Sequence, residues 1–132
     1  MKPTPIPAER IRAITADPTI PIAHRALWQL LYDTDLRLDD VLSLDVRDID
    51  LDHRTIHGES IKDGNPSVTV PIGDRTAQLL REVIGDRDAG PLILDKPEHA
   101  MRRDTAIRAA RNLADTSIHA FRTAGQADRR RA

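Results

Sequence analysis

Three short constellations in this 132-residue chain carry side chains suited to holding an anion. Arg37, in Leu36-Arg37-Leu38-Asp39-Asp40, offers a planar, permanently charged fork that can donate two parallel hydrogen bonds to one oxyanion. Read locally, the same arginine can instead pair with Asp39 or Asp40 at the start of a helix. Lys62 stands before Asp63-Gly64-Asn65-Pro66 and is one of only three lysines in an arginine-rich chain. It is either an ammonium presented at the tip of a hairpin or an ordinary turn lysine. His119 and Arg122 are three residues apart, so on a helix they share a face and can meet the same phosphate. A surface histidine beside a surface arginine is the plainer reading of that spacing. His24, His53, His57 and His99 are scattered without carboxylate or cysteine partners at metal-ligand spacing, and no metal site is assigned. Asp48-Ile49-Asp50-Leu51-Asp52 lacks the glycine and distant glutamate of a calcium loop.

The elements that must position these groups follow from periodicity and turn chemistry. A helix is predicted from Pro7 to Ala16 with Ile11 and Ile14 inward, stopped by Asp17-Pro18. A second begins near Pro21, with Ala23, Ala26, Leu27, Leu30 and Leu31 forming one buried stripe. A shorter helix fits Leu38 to Leu44. Ile49 and Leu51, then Thr55 to Ile61, then Val68, Val70 and Ile72 read as three short strands of an antiparallel sheet, with turns at Asp52-His53-Arg54 and Asp63 to Pro66. Asp74 is placed as the cap of a helix running to Ile84, with Ala77, Leu80, Val83 and Ile84 aligned and Gly85 closing it. Pro91-Leu92-Ile93-Leu94 is a short buried run. Asp104 is placed as the cap of a helix to Ala114 with Ala106, Ile107, Ala110 and Leu113 inward. Thr116 or Ser117 opens a last helix containing His119 and Arg122. The fold class is mainly α with a small three-stranded antiparallel sheet, in a single domain over residues 1–132, of which residues 1–6 form a flexible lead-in.

Composition narrows the classes further. Hydrophobic residues make up 39% of the chain, yet Trp28, Tyr32 and Phe121 are its only aromatics, so Leu, Ile, Val and Ala must build the core. The absence of cysteine excludes a disulfide framework and thiolate metal sites and fits a cytoplasmic location. Neither a signal peptide nor a membrane span is read from the sequence. The net charge of −1 conceals an asymmetry. From Asp33 to Asp63 there are ten acidic and four basic residues, net −6, and from His99 to Ala132 eight arginines and three aspartates, net +5. A basic end of this kind suits an anionic partner, although arginine-rich helices are often simple solvated surface.

The stretch from Arg25 to Leu44, containing Leu31-Tyr32-Asp33-Thr34-Asp35-Leu36-Arg37, is similar to the first signature box of tyrosine recombinases of the phage-integrase type. The likeness continues through Val46-Arg47-Asp48-Ile49-Asp50-Leu51. Ile61-Lys62-Asp63-Gly64-Asn65-Pro66, leading to Val68-Thr69-Val70-Pro71-Ile72, resembles the family's β-hairpin, and Ser117-Ile118-His119-Ala120-Phe121-Arg122 its His-x-x-Arg box. The resemblance implies a recombinase catalytic-domain fold and a role in site-specific DNA recombination or integration. It makes Arg37 and Arg122 the clamps of the scissile phosphate, with Asp40 a carboxylate that helps hold Arg37. His119 becomes an acid/base partner of the attacking hydroxyl. Lys62 becomes a general acid that reaches the minor groove and protonates the departing 5′ oxygen, a role worth about 10²- to 10⁴-fold in rate. The implied partners are double-stranded DNA and other recombinase subunits, with no small-molecule cofactor.

Departures from the family pattern set the expected limits. Asp35 replaces the glycine usual before Leu-Arg, Thr123 stands where a second histidine is common, and the hairpin's usual arginine is missing. The chain ends ten residues after Arg122, and its one tyrosine, Tyr32, lies in the first box. The family's nucleophilic tyrosine segment and its separate N-terminal DNA-gripping domain are therefore expected to be absent. The expected function is a DNA-binding, recombinase-like domain unable to cleave DNA alone. The alternatives are a non-catalytic regulator and a small helical interaction protein unrelated to recombination.

Overall fold

The segment Ile22–Asp33 places six consecutive residues, Ala26 to Leu31, out of solvent, and the rest of the chain is arranged around it. The computed structural model describes residues 6–57 and 69–131. Among them, helix α1 (Ala8–Ala16) precedes α2 (Ile22–Asp33) and α3 (Leu38–Leu42). A 3-10 turn at Val46–Asp48 leads to strands β1 (Ile49–Asp50), β2 (Thr55–His57) and β3 (Thr69–Pro71). Helix α4 (Asp74–Ile84), strands β4 (Leu94–Lys96) and β5 (His99–Ala100), and helices α5 (Arg103–Ala114) and α6 (His119–Arg131) complete the order. The architecture is mainly helical with a three-stranded antiparallel sheet in the order β1-β2-β3, as predicted.

Helix α2 is more deeply embedded than a single stripe requires. Trp28 and Gln29 are buried beside the predicted Ala26, Leu27, Leu30 and Leu31, whereas Ala23 is only half-buried. A helix covered on all sides belongs at the centre of its domain, and α1, α4 and α6 all pack against α2. Its last residue reaches across to α4. The Asp33 carboxylate accepts from the Gly73 amide at 2.8 Å and the Thr76 hydroxyl at 2.6 Å. An acceptor brought from another element thus satisfies the start of α4, and Gly73, not Asp74, is its N-cap. Asp74 is the first helical residue and pairs with Arg54.

Other local readings shift for similar reasons. Helix α3 stops at Leu42 because the following segment turns to pair with the chain near Pro91. The Val46 amide donates to the Gly90 carbonyl at 2.8 Å, and the Leu92 amide to the Leu44 carbonyl at 2.9 Å. The buried run Leu92-Ile93 then feeds a two-stranded hairpin, β4-β5, that periodicity over so few residues does not reveal. Arg87 pins this crossing by donating to the carbonyls of Pro91, Leu92 and Val83 at 2.7, 3.1 and 2.9 Å.

Helix α5 is capped at Arg102 rather than Asp104. Its inner face is Ala106, Ala110 and Ala114, and Leu113, predicted inward, is 45% exposed. Alanines at i, i+4 and i+8 let the helix lie close to its neighbours, and that rotation turns Leu113 outward. Ile6, assigned to the lead-in, packs into the core. The remainder of the lead-in, and the parts of the second and third strands at residues 58–68, lie outside the described residues.

Helix α6 crosses α2 at a glycine. A Cβ on Gly125 would fall 1.8 Å from the Tyr32 carbonyl oxygen, a backbone atom that cannot swing aside. One turn earlier, Phe121 stacks on Trp28 with ring centroids 5.1 Å apart and planes 5° from parallel. Gly125→Ala is therefore expected to destabilise the fold by about 1–3 kcal/mol or more through overpacking, measured as a lower urea midpoint at unchanged m-value. An unchanged midpoint would show that the two helices can part at no cost.

Candidate functional site

Arg37 owes its position to a tight turn at the end of α2. The Thr34 hydroxyl donates to the Leu30 carbonyl at 2.7 Å and accepts from the Leu36 amide at 3.2 Å. The chain then enters α3 with Arg37 as its N-cap. Asp35, within this turn, is not among the residues with positive φ. A side chain in place of glycine is thus accommodated without backbone strain.

Asp40 acts on the backbone of Arg37. Its carboxylate accepts the Arg37 amide at 3.0 Å, the usual reach from the third helical residue back to the cap. It fixes where Arg37 leaves the chain. The Arg37 guanidinium donates to no described residue and is exposed.

Helix α6 supplies the opposite wall. The Ser117 hydroxyl accepts the His119 amide at 3.3 Å as the helix begins, which supports the reading of Ser117 as its opening residue. The buried Ile118, Phe121 and Ala124 then fix the rotation of the helix. His119 and Arg122 share one face, as their spacing implies. Arg122 donates through Nε to the Asp35 carbonyl at 3.2 Å, and one of its terminal nitrogens lies 3.6 Å from the Asp35 carboxylate.

Arg37, His119 and Arg122 line a single pocket of about 200 Å3, together with Asp39, Arg103, Leu31, Leu38 and Ile118. That volume is several times the ~30 Å3 share of one liquid water, enough to admit a phosphate-sized anion. Three guanidinium groups against one carboxylate make it net positive. Arg103, the first residue of α5, is the cation that motif spacing misses, and its only sequence signal is membership of the basic stretch after His99. It pairs with Asp39 at 2.9 Å, so Asp39 engages Arg103 rather than Arg37. Lys62 lies outside the described residues. Among the described residues, no group of three or more His, Asp or Glu side chains could hold a metal ion. No helix of the described chain is long and apolar enough to cross a membrane.

In fold, the chain is similar to a crystal structure of XerA recombinase, with a TM-score of 0.81 and 16% identity over 98% of this chain and 50% of that one. It is also similar to a structure of the Tn1549 transposon integrase in complex with circular intermediate DNA, with a TM-score of 0.71 and 17% identity over 95% of this chain and 52% of that one. The chain thus spans about half the length of these structures. No curated protein sequence matches it. The family model for the phage integrase family matches residues 5–127, nearly the whole sequence, and the chain belongs to that family.

Proposed function

We propose that this chain is a DNA-binding domain acting in site-specific recombination, whose pocket grips one phosphate of the DNA backbone between Arg37 and Arg122. The observation that carries this reading is the meeting of Arg37, His119, Arg122 and Arg103, from three separate stretches of sequence, around one small concavity. Planar guanidinium groups from two sides suit a phosphate that gains charge at a pentacoordinate stage, and such preorganised charge is the main protein contribution to phosphoryl transfer. His119, which lines the same pocket, is proposed as the acid/base partner of an attacking hydroxyl. Lys62 is proposed as the general acid from its sequence context alone. Duplex DNA is the proposed partner, with other recombinase subunits assembling on it, in the cytoplasm.

The proposal includes that these 132 residues do not cleave DNA by themselves. Tyr32 is the one tyrosine present, and it is not among the residues lining the pocket. Its hydroxyl donates to the Asp128 carboxylate at 2.5 Å. Burial first, and then the bond to Asp128, push its pKa up from 10.0 to about 12. A phenol held protonated against a carboxylate is a poor nucleophile at neutral pH.

Two outcomes test this reading. Binding of a short duplex should weaken steeply as salt rises, and Arg37→Ala or Arg122→Ala should each weaken it about tenfold or more, the worth of a charge-assisted hydrogen bond. Fluorescence anisotropy measures both, and salt-independent binding indifferent to either substitution would sink the proposal. An ultraviolet absorbance titration should show Tyr32 ionising near 12 in the folded protein. Because the folded-state pKa is the higher one, the associated stability is fully present below pH 10 and declines as pH rises from 10 towards 12. Ionisation of Tyr32 at its ordinary value would remove this argument against it.

A further inference from the structure

Asp35 stands on the rim between two depressions. One is the pocket of Arg37, Arg103, His119 and Arg122, and the other is lined by Asp35 itself with Gln126, Arg129 and Arg130. A single oxygen of its carboxylate, Oδ1, faces three groups of α6. The Gln126 amide donates to it at 2.9 Å, and guanidinium nitrogens of Arg122 and Arg129 lie 3.6 and 3.7 Å away. Residues 122, 126 and 129 are four and three apart and so follow one face of the helix. The carboxylate takes the place that an external oxyanion would take between these two cations.

Both cations have anchors other than the carboxylate. Arg129 donates to the backbone carbonyls of Tyr32 and Thr34 at 2.7 and 3.3 Å. Arg122 donates to the backbone carbonyl of Asp35 at 3.2 Å. None of these bonds involves the Asp35 side chain. That side chain is 72% exposed, and ion pairs so open to water hold their partners weakly. It can turn into solvent while Arg122 and Arg129 keep their bonds to backbone carbonyls.

We propose that Asp35 is an internal competitor: its carboxylate fills the Arg122–Arg129 anion site in the free protein and is displaced when a backbone phosphate binds. The inference rests on the reading of the adjoining pocket as a phosphate site and adds a built-in restraint on its affinity. Removing the charge exposes both guanidinium groups to the incoming phosphate at once.

The test compares Asp35→Asn, which keeps the size and an acceptor for Gln126, with Asp52→Asn. The latter makes the same change in net charge at a residue lining a different depression. Asp35→Asn is expected to tighten binding of a short duplex by about three- to tenfold, the release of two exposed ion pairs. The salt dependence should steepen by about one unit of log-log slope. Asp52→Asn should do less. In an Arg122→Ala, Arg129→Ala background the effect of Asp35→Asn should vanish, which makes the coupling local. In parallel, low concentrations of inorganic sulfate should raise the melting temperature of Asp35→Asn more than that of the wild type or Asp52→Asn. If Asp35→Asn binds DNA no better than wild type while Arg37→Ala and Arg122→Ala still weaken it, the phosphate pocket stands and the competitor is overturned. If the arginine substitutions leave DNA binding unchanged, the pocket reading has failed and sulfate decides alone. A larger thermal shift in Asp35→Asn then supports an anion site held by Asp35, and an equal shift overturns it.

Discussion

The contact of the Gly125 backbone with the Tyr32 carbonyl sets the geometry on which everything else depends. Helix α2 ends in the turn that delivers Arg37, and α6 begins with His119 and Arg122. The packing of these two helices therefore helps to position the residues that line the pocket. It is set twice, at Trp28 against Phe121 and at Tyr32 against Gly125. The two contacts step four residues along both helices, so they fix register as well as spacing. Arg129 adds a polar tie by donating to the Tyr32 carbonyl that Gly125 leaves accessible.

The opposite charges of the middle and end of the sequence meet at this seam. Asp39 pairs with Arg103, and Asp35 faces Arg122 and Arg129. Asp40 spends its carboxylate on the Arg37 amide. Carboxylates thus partly screen the cations that crowd this side of the molecule, while the Arg37 guanidinium donates to none of the described residues. The near-zero net charge comes from segments that fold against each other and differs from a uniformly neutral surface in what it can bind.

Much of this was legible in sequence where a signal spans many residues. The apolar stripe of α2, the mainly helical class with its small antiparallel sheet, and the matching order of the motif boxes all rest on long registers. Features set by a single partner across the fold were not legible. Asp74 and Asp104 look like helix caps, but Asp33 serves the start of α4 from forty residues away and Arg102 precedes α5. Leu113 fits a helical stripe, yet a face of alanines packs instead because it allows closer approach. The β4-β5 hairpin is too short for periodicity to register. Within the site, Arg37, His119 and Arg122 were found from their motifs and are gathered in one pocket. Asp40, expected to help hold Arg37, bonds its amide, and Arg103, which has no motif around it, was missed. Lys62 belongs to the stretch outside the described residues, and its part in the chemistry remains a reading of the sequence.

The central claim is that Arg37, His119 and Arg122 form one anion site. It is tested most directly by following the side-chain Nε–H resonances of both arginines and the ring resonances of His119 by NMR while a short DNA duplex is added. All three are expected to move together along a single binding curve. Separate midpoints, or a shift of one arginine without the other, would contradict it.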